Sequence, residues 1–351
     1  MDLDAKKILK TLNPRRVWIP IALASGIVAF LFVSDPDISF SQLALIREAR
    51  FLPLVLALTV TLARFFGYVQ RIRIISDGEL EWMPAFYVIV LWEFASAVTP
   101  SVVGGTAVAM FILWKEGIKL GKAFGFVMLT AILDNIYFVI FAPMSLLLGQ
   151  RAIFPETETA LPEGSLFGLF ALSYALIALY TLIMVFALLI NPRAVKWLLI
   201  KATALPVLRR WRHAAHERGN ELIAASAQIR GKTPAFWRSV ILLTVFIWTS
   251  RYLLLNCLIA AFSTTSLQSH LLILGKQIVL WVIMLISPTP GSSGVAELVF
   301  PMFFSDMLSE YTMLINILWR IFTFFIFLFL GAIILPRWLQ RVFFKKKNAT
   351  S

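Results

Sequence analysis

Ser287–Phe300 reads SPTPGSSGVAELVF. It interrupts two apolar runs, LLILGKQIVLWVIMLI (Leu271–Ile286) before it and PMFF (Pro301–Phe304) after it. Pro288, Pro290, Gly291 and Gly294 break a helix. Four hydroxyl residues (Ser287, Thr289, Ser292, Ser293) accompany them, and Glu297 follows one turn on. A breaker and a carboxylate inside an apolar run leave the backbone and the charge to be satisfied at membrane depth.

The surrounding chain is of the membrane class. Of its 351 residues 60% are hydrophobic, where a soluble domain is nearer half, and several runs reach the roughly 20 apolar residues that cross a bilayer. The net charge of +13 then marks cytoplasmic loops rather than nucleic-acid binding, and no nucleic-acid partner is expected. The single cysteine, Cys257, cannot form an intrachain disulfide. His213 and His216 lie in a basic loop without Cys or an HExxH pattern, so no metal or cofactor is expected.

Full spans are expected at Val17–Val33 (an uncleaved first span), Phe51–Val69, Ala123–Leu148, Leu166–Ile190, Phe236–Phe262 and Thr312–Leu335. Two apolar stretches are broken, Ala85–Trp114 and Leu271–Phe304. Treating both as re-entrant hairpins collects most of the 32 Lys and Arg residues, Arg71 and Arg73 among them, on the side of both termini; Arg47, Arg50 and Arg151 fall opposite. Treating Ala85–Trp114 as a crossing worsens that bias. The expected fold is an all-α polytopic membrane protein, residues 1–351 in one domain, with six full spans, two opposed hairpins and both termini cytoplasmic.

Opposed hairpins imply an inverted repeat, as in many secondary transporters: about 51–149 with its hairpin at 85–114, and about 236–335 with its hairpin at 271–304. TPSVVGGTAVAMF places Thr99-Pro100, Gly105, Ala107 and Phe111; TPGSSGVAELVF places Thr289-Pro290, Gly294, Ala296 and Phe300 with the same spacing from the glycine onward. The preceding spans carry Arg64 and Arg251. Residues 191–235 form a cytoplasmic segment in which Val195–Leu222 mixes apolar and basic residues. It is either an interfacial helix on anionic lipid or a helix covering the bundle.

Ionisable residues within spans face a cavity or one another. Here they are Arg64, Glu93, Asp134, Arg251, Glu297 and Arg320. With the breaker residues Pro100, Gly104, Gly105, Pro290, Gly291 and Gly294 they form the candidate substrate site. Arginines would hold a phosphate bidentately, and the acids, Glu297 foremost, would pair with them or with a substrate ammonium. The competing reading is an internal lattice of salt bridges; Arg64, near a span end, could instead snorkel, as Lys276 and Arg238 are expected to do. No Ser-His-Asp set, G-x-S-x-G elbow, P-loop or metal cluster is present in the sequence, so no catalytic residues are assigned. A membrane-embedded enzyme on a lipid-linked substrate, or a channel with two re-entrant loops, are the alternatives.

These motifs resemble the lysylphosphatidylglycerol synthase transmembrane-region family, also called flippase-like domain proteins. The likeness runs over roughly residues 15–335. It rests on TPSVVGGTA followed by a span carrying Asp134, on SPTPGSSGVAE beside the family's P-x-P-G-G-x-G-x-x-E, and on Arg320 in LWRIFTFF. Ser292 and Ser293 stand where a glycine is usual, and the usual arginine soon after Gly105 is missing. The resemblance implies a lipid translocase of the bacterial inner membrane, moving an anionic or aminoacylated phospholipid or a glycolipid. It further implies flipping without synthesis, with a separately encoded lipid-modifying enzyme as partner.

Overall fold

The computed structural model describes residues 44–99, 102–154, 165–285, 287 and 289–344. The expected span Val17–Val33 and the breaker residue Pro100 lie outside them. Among the described residues the fold is all-α, a multi-pass membrane protein. The helices are α1 (Phe51–Ile75), α2 (Trp82–Val98), α3 (Val102–Lys115), α4 (Leu120–Gly149) and α5 (Ser165–Val185, continued by a π turn to Ile190). Then follow α6 (Pro192–Ala202), α7 (Arg212–Arg230), α8 (Pro234–Phe262), α9 (Leu267–Met284), α10 (Val295–Leu308), α11 (Thr312–Arg320) and α12 (Ile326–Leu339). A π stretch, Ile321–Phe325, joins α11 to α12. Starts follow helix-capping chemistry. Asn191 and Thr233 accept from Ala194 and Phe236 N–H, each with a proline next in line, and Ser266 accepts from Ser269 N–H.

Six helical runs are long and apolar enough to cross a membrane: Phe51–Ile75, Leu120–Leu147, Ser165–Ile190, Pro234–Phe262, Leu267–Met284 and Pro290–Val342. Leu267–Met284, which contains the first arm of the broken stretch Leu271–Phe304, is thus itself of spanning length. Lipid and core are both apolar, so small polar residues mark the inward stripe. In α5 the buried face holds Leu166, Phe170, Ser173, Ile177 and Thr181, and the two hydroxyls return to carbonyls four residues back, so that neither is left unpaired.

One boundary differs from the sequence reading in a way that matters. The apolar run stops at Val69, but α1 continues to Ile75 and ends only where Asp77 (φ 53°) and Gly78 (φ 77°) turn left-handed, with Gly78 N–H closing on Arg73 O at 2.9 Å. Arg71 is therefore inside the helix and buried, not in a loop.

Helix ends assort onto two faces. On one, Asp77 pairs with Lys232, Glu79 with Lys122, and Glu116 accepts from Trp338 Nε1 (2.6 Å) and from Arg341. On the other, Arg50 N–H donates to Ala261 O (2.8 Å) and Tyr311 Oη to Glu48 (2.7 Å). The outer ends of α2 and α3 lie on the first face, and those of α9 and α10 on the second. Helix α1 runs antiparallel along α8, α2 lies against α12, and α9 against α4. Residues 191–235 hold α6 and α7. Helix α7 covers α4, with Ala225 over Gly125; α6 leaves Trp197, Leu198 and Leu199 exposed.

The α2–α12 contact is as close as backbone allows. A Cβ on Gly331 would overlap Cβ and Cγ of Phe94, atoms that cannot move without shifting α2, whereas a Cβ on Gly168 meets nothing within 4 Å. Gly331→Ala is therefore expected to destabilise by about 1–3 kcal/mol, the usual cost of overpacking. Gly168→Ala should leave the thermal midpoint of the purified protein in detergent unchanged.

Candidate functional site

The site begins on one face of α1. Arg64, Tyr68 and Arg71 lie at i, i+4 and i+7, stacked along the same side. Arg64 Nη2 reaches Glu93 Oε1 on α2 at 2.7 Å, with its guanidinium 5.1 Å from the ring centres of both Tyr68 and Phe327. It is 3% exposed and so does not snorkel. Arg71 forks onto Asp134 of α4, Nη1 to Oδ1 at 2.5 Å and Nη2 to Oδ2 at 3.1 Å, and donates to Thr244 Oγ1 of α8 at 2.9 Å. Trp248 Nε1 adds a bond to Asp134 Oδ1 at 2.8 Å. One bidentate pair thereby ties α1, α4 and α8 together.

From Thr289 to Glu297 the backbone is closed by short-range bonds and by Met284 and Arg320. Ser292 and Ser293 N–H donate to Thr289 and Pro290 carbonyls, and Ser292 Oγ donates to Met284 O at 3.0 Å. Gly291 (φ 56°) and Gly294 (φ 90°) take left-handed backbone, and a Cβ on Gly291 would overlap the Phe324 ring. Glu297 Oε2 accepts Gly294 N–H at 2.6 Å and its Oε1 accepts Arg320 Nε at 2.7 Å. Arg320 Nη2 also donates to Ser293 Oγ at 3.2 Å. The carboxylate that looked out of place in the sequence is the cap of α10 and the anchor of Arg320.

Between the two helix breaks lies a cavity of about 280 Å³. Thr99 and Thr106 border it from the first break, and Ser287, Thr289, Gly291 and Ser292 from the second. Glu93, Asp134, Arg251 and Arg320 line it, as does Arg71; Trp92, Phe138, Trp248, Trp281 and Phe324 supply apolar wall. The structure thus brings five of the sequence-predicted residues, Glu93, Asp134, Arg251, Gly291 and Arg320, to one cavity. Arg64 stands one step behind, through Glu93. Pro290 and Gly294 shape the second break, and Glu297 sits behind Arg320, outside the lining. Gly104 lies in the first turn of α3, and a Cβ on Gly105 would overlap Ser96 Oγ, so the glycine lets α3 approach α2.

Arg71 was missed because QRIR reads as a loop; its seven-residue spacing from Arg64 was the available signal. Lys276 is a second correction. It does not snorkel but is 4% exposed, donating to Phe303 O at 2.8 Å. Arg238, by contrast, is exposed. Arg251 differs from the other cavity arginines. Its guanidinium lies 4.0 Å from the Trp281 ring centre and 5.5 Å from that of Trp248, and no carboxylate among the described residues pairs with it. Nor do three His, Cys, Asp or Glu residues cluster as metal ligands among the described residues.

Breaking one side of the α1–α4–α8 tie should cost more than removing both charges. Arg71→Ala leaves Asp134 unanswered and is expected to lose about 3–5 kcal/mol. Arg71→Met with Asp134→Asn, which keeps the acceptor for Trp248, should regain part of it, read as paired thermal midpoints in detergent.

Residues 17–331 match the family model described as "Lysylphosphatidylglycerol synthase TM region". A UPF0104 membrane protein of Archaeoglobus fulgidus is 21% identical over 330 residues, covering 90% of this chain and 94% of that protein. With most of its length matched, including both helix breaks and every residue of the cavity, the chain belongs to the lysylphosphatidylglycerol synthase transmembrane-region family.

Proposed function

We propose that the protein moves a lipid with a charged headgroup between the two leaflets of a bacterial inner membrane, the headgroup passing through the cavity between the helix breaks. The observation that carries this reading is the cavity's position and make-up. Asp134, in the lining, sits near the middle of α4, and Arg64, behind it, near the middle of α1, so the charged wall is at mid-depth, where ionisable groups are retained for substrate pathways. Hydroxyls and guanidiniums suit a headgroup; the aromatic and aliphatic walls suit the start of its acyl chains.

In this reading α2–α3 and α9–α10 are re-entrant hairpins entering from opposite leaflets, and the two halves are an inverted repeat. Two features support it. Each pair has its outer ends on one face, the two pairs on opposite faces. The packing is also exchanged, α2 on the last helix of the second half and α9 on α4 of the first. The face that carries Lys122, Lys232 and Arg341 would be cytoplasmic by the positive-inside rule. Transport is favoured over catalysis because each carboxylate at the site is tied to an arginine, an arrangement that fixes charge rather than freeing a general acid or base.

Purified protein in liposomes containing fluorescent phosphatidylglycerol or phosphatidylethanolamine should let dithionite bleach more than the outer-leaflet share. Glu297→Gln and Arg320→Ala, which undo the second break, should return bleaching to that of empty liposomes. Bleaching equal to empty liposomes for every lipid in the wild type would overturn translocation, and bleaching unchanged in both variants would overturn this site.

A further inference from the structure

Arginines and carboxylates at the cavity do not balance. Among the described residues, Glu93, Asp134 and Glu297 answer Arg64, Arg71 and Arg320, and Arg251 has only indole faces. Aromatic faces stabilise a cation through their quadrupole but carry no net charge. The set therefore keeps one positive charge, and it sits on a residue that borders the cavity.

Two more polar groups beside Arg251 lack partners among the described residues. Trp281 Nε1 and Tyr252 Oη are both buried without a hydrogen bond, and Tyr252 is only 3% exposed. Arg251, Tyr252 and Trp281 share the lining of a small recess, and Arg251 and Trp281 also line the main cavity. Buried polar groups are nearly always satisfied, so each exception calls for an account. A guanidinium fork, an indole N–H and a phenol O–H are all able to donate. Together with a surplus positive charge they complement an oxyanion with several acceptor oxygens, a phosphate above all.

We infer that Arg251, with Trp281 and Tyr252, binds the phosphate of an anionic lipid headgroup and disfavours headgroups that carry a net positive charge. An aminoacylated headgroup brings one phosphate and additional ammonium groups. It meets the surplus arginine with like charge and finds every carboxylate of the site already held by an arginine. The inference rests on the translocation reading for its lipid source, and it departs from the aminoacyl-lipid cargo that the family's description evokes.

Binding tests it apart from transport. Native mass spectrometry of the full chain in detergent, with equimolar phosphatidylglycerol, lysyl-phosphatidylglycerol and a neutral diglucosyl diacylglycerol, should show phosphatidylglycerol bound in excess by roughly tenfold, the scale of one charge-assisted hydrogen bond. Arg251→Gln should reduce that excess to the level of the neutral glycolipid, and Arg251→Lys should retain part of it. Tyr252→Phe, which keeps the ring and removes only the hydroxyl, and Trp281→Phe, which keeps a smaller aromatic face and removes the N–H, should each lower it. Equal binding of the three lipids, or an excess unchanged in Arg251→Gln, would overturn the assignment. Displacement of the lipid by an equal concentration of glycerol phosphate would assign the site to a soluble phosphate and overturn its lipid source. A phosphatidylglycerol excess that depends on Arg251 in a protein that bleaches no lipid would remove translocation and leave the anion site standing. Bleaching without any lipid preference would do the reverse.

Discussion

A backbone N–H without a partner at membrane depth costs several kcal/mol, and this constraint organises the second half of the chain. The break after Met284 frees backbone groups that lipid cannot satisfy. Ser292 returns a hydroxyl to Met284, tight turns close Thr289 and Pro290, and Glu297 caps Gly294. The capping carboxylate is itself a buried charge, and Arg320 neutralises it from the following helix. Each solution creates the next demand, and the chain ends in an arginine at the cavity wall.

The same logic runs through the first half by a different route. The tie there is Arg71–Asp134, bidentate and joined by Thr244 and Trp248. It joins the C-terminal part of α1 to the middle of α4 and α8, and Arg64–Glu93 extends it to α2. Buried ion pairs of this kind are poor sources of net stability; their use here is geometric. They hold charged side chains in register around a cavity that apolar packing alone would have filled.

Much of this was legible in the sequence. All-apolar runs, the two clusters of breakers and the asymmetry of Lys and Arg were enough for an all-α membrane chain with a polar centre, and most charged residues within the runs do meet there. What was not legible has physical causes. Arg71 hides in QRIR because hydropathy stops at Val69, while the helix stops only where backbone turns left-handed at Asp77 and Gly78. Glu297 reads as the foremost acid of a substrate site, since a carboxylate past a break looks the same whether it holds a ligand or the backbone; the 2.6 Å bond to Gly294 makes it a cap. Lys276 resembles a snorkelling lysine until its acceptor, the carbonyl of Phe303, is seen. The three arginine–carboxylate pairings, and with them the unpaired state of Arg251, depend on which helices are neighbours.

The exchanged packing bears on how the chain is made. Helix α2 rests on α12, and Glu116, just beyond α3, is held by Trp338, 222 residues further along. At translation rates of about 5–20 residues per second that gap is on the order of 10–45 s. Throughout it α2 and α3 are already in the bilayer and their final support does not yet exist. The irregular backbone near Thr99 has to be sheltered during that interval by α1 and α4, by water, or by the insertion machinery. Helix α9 faces no such delay, because α4 is in place before it emerges. Biogenesis thus treats the two halves unequally, and the earlier one carries the greater risk of misinsertion.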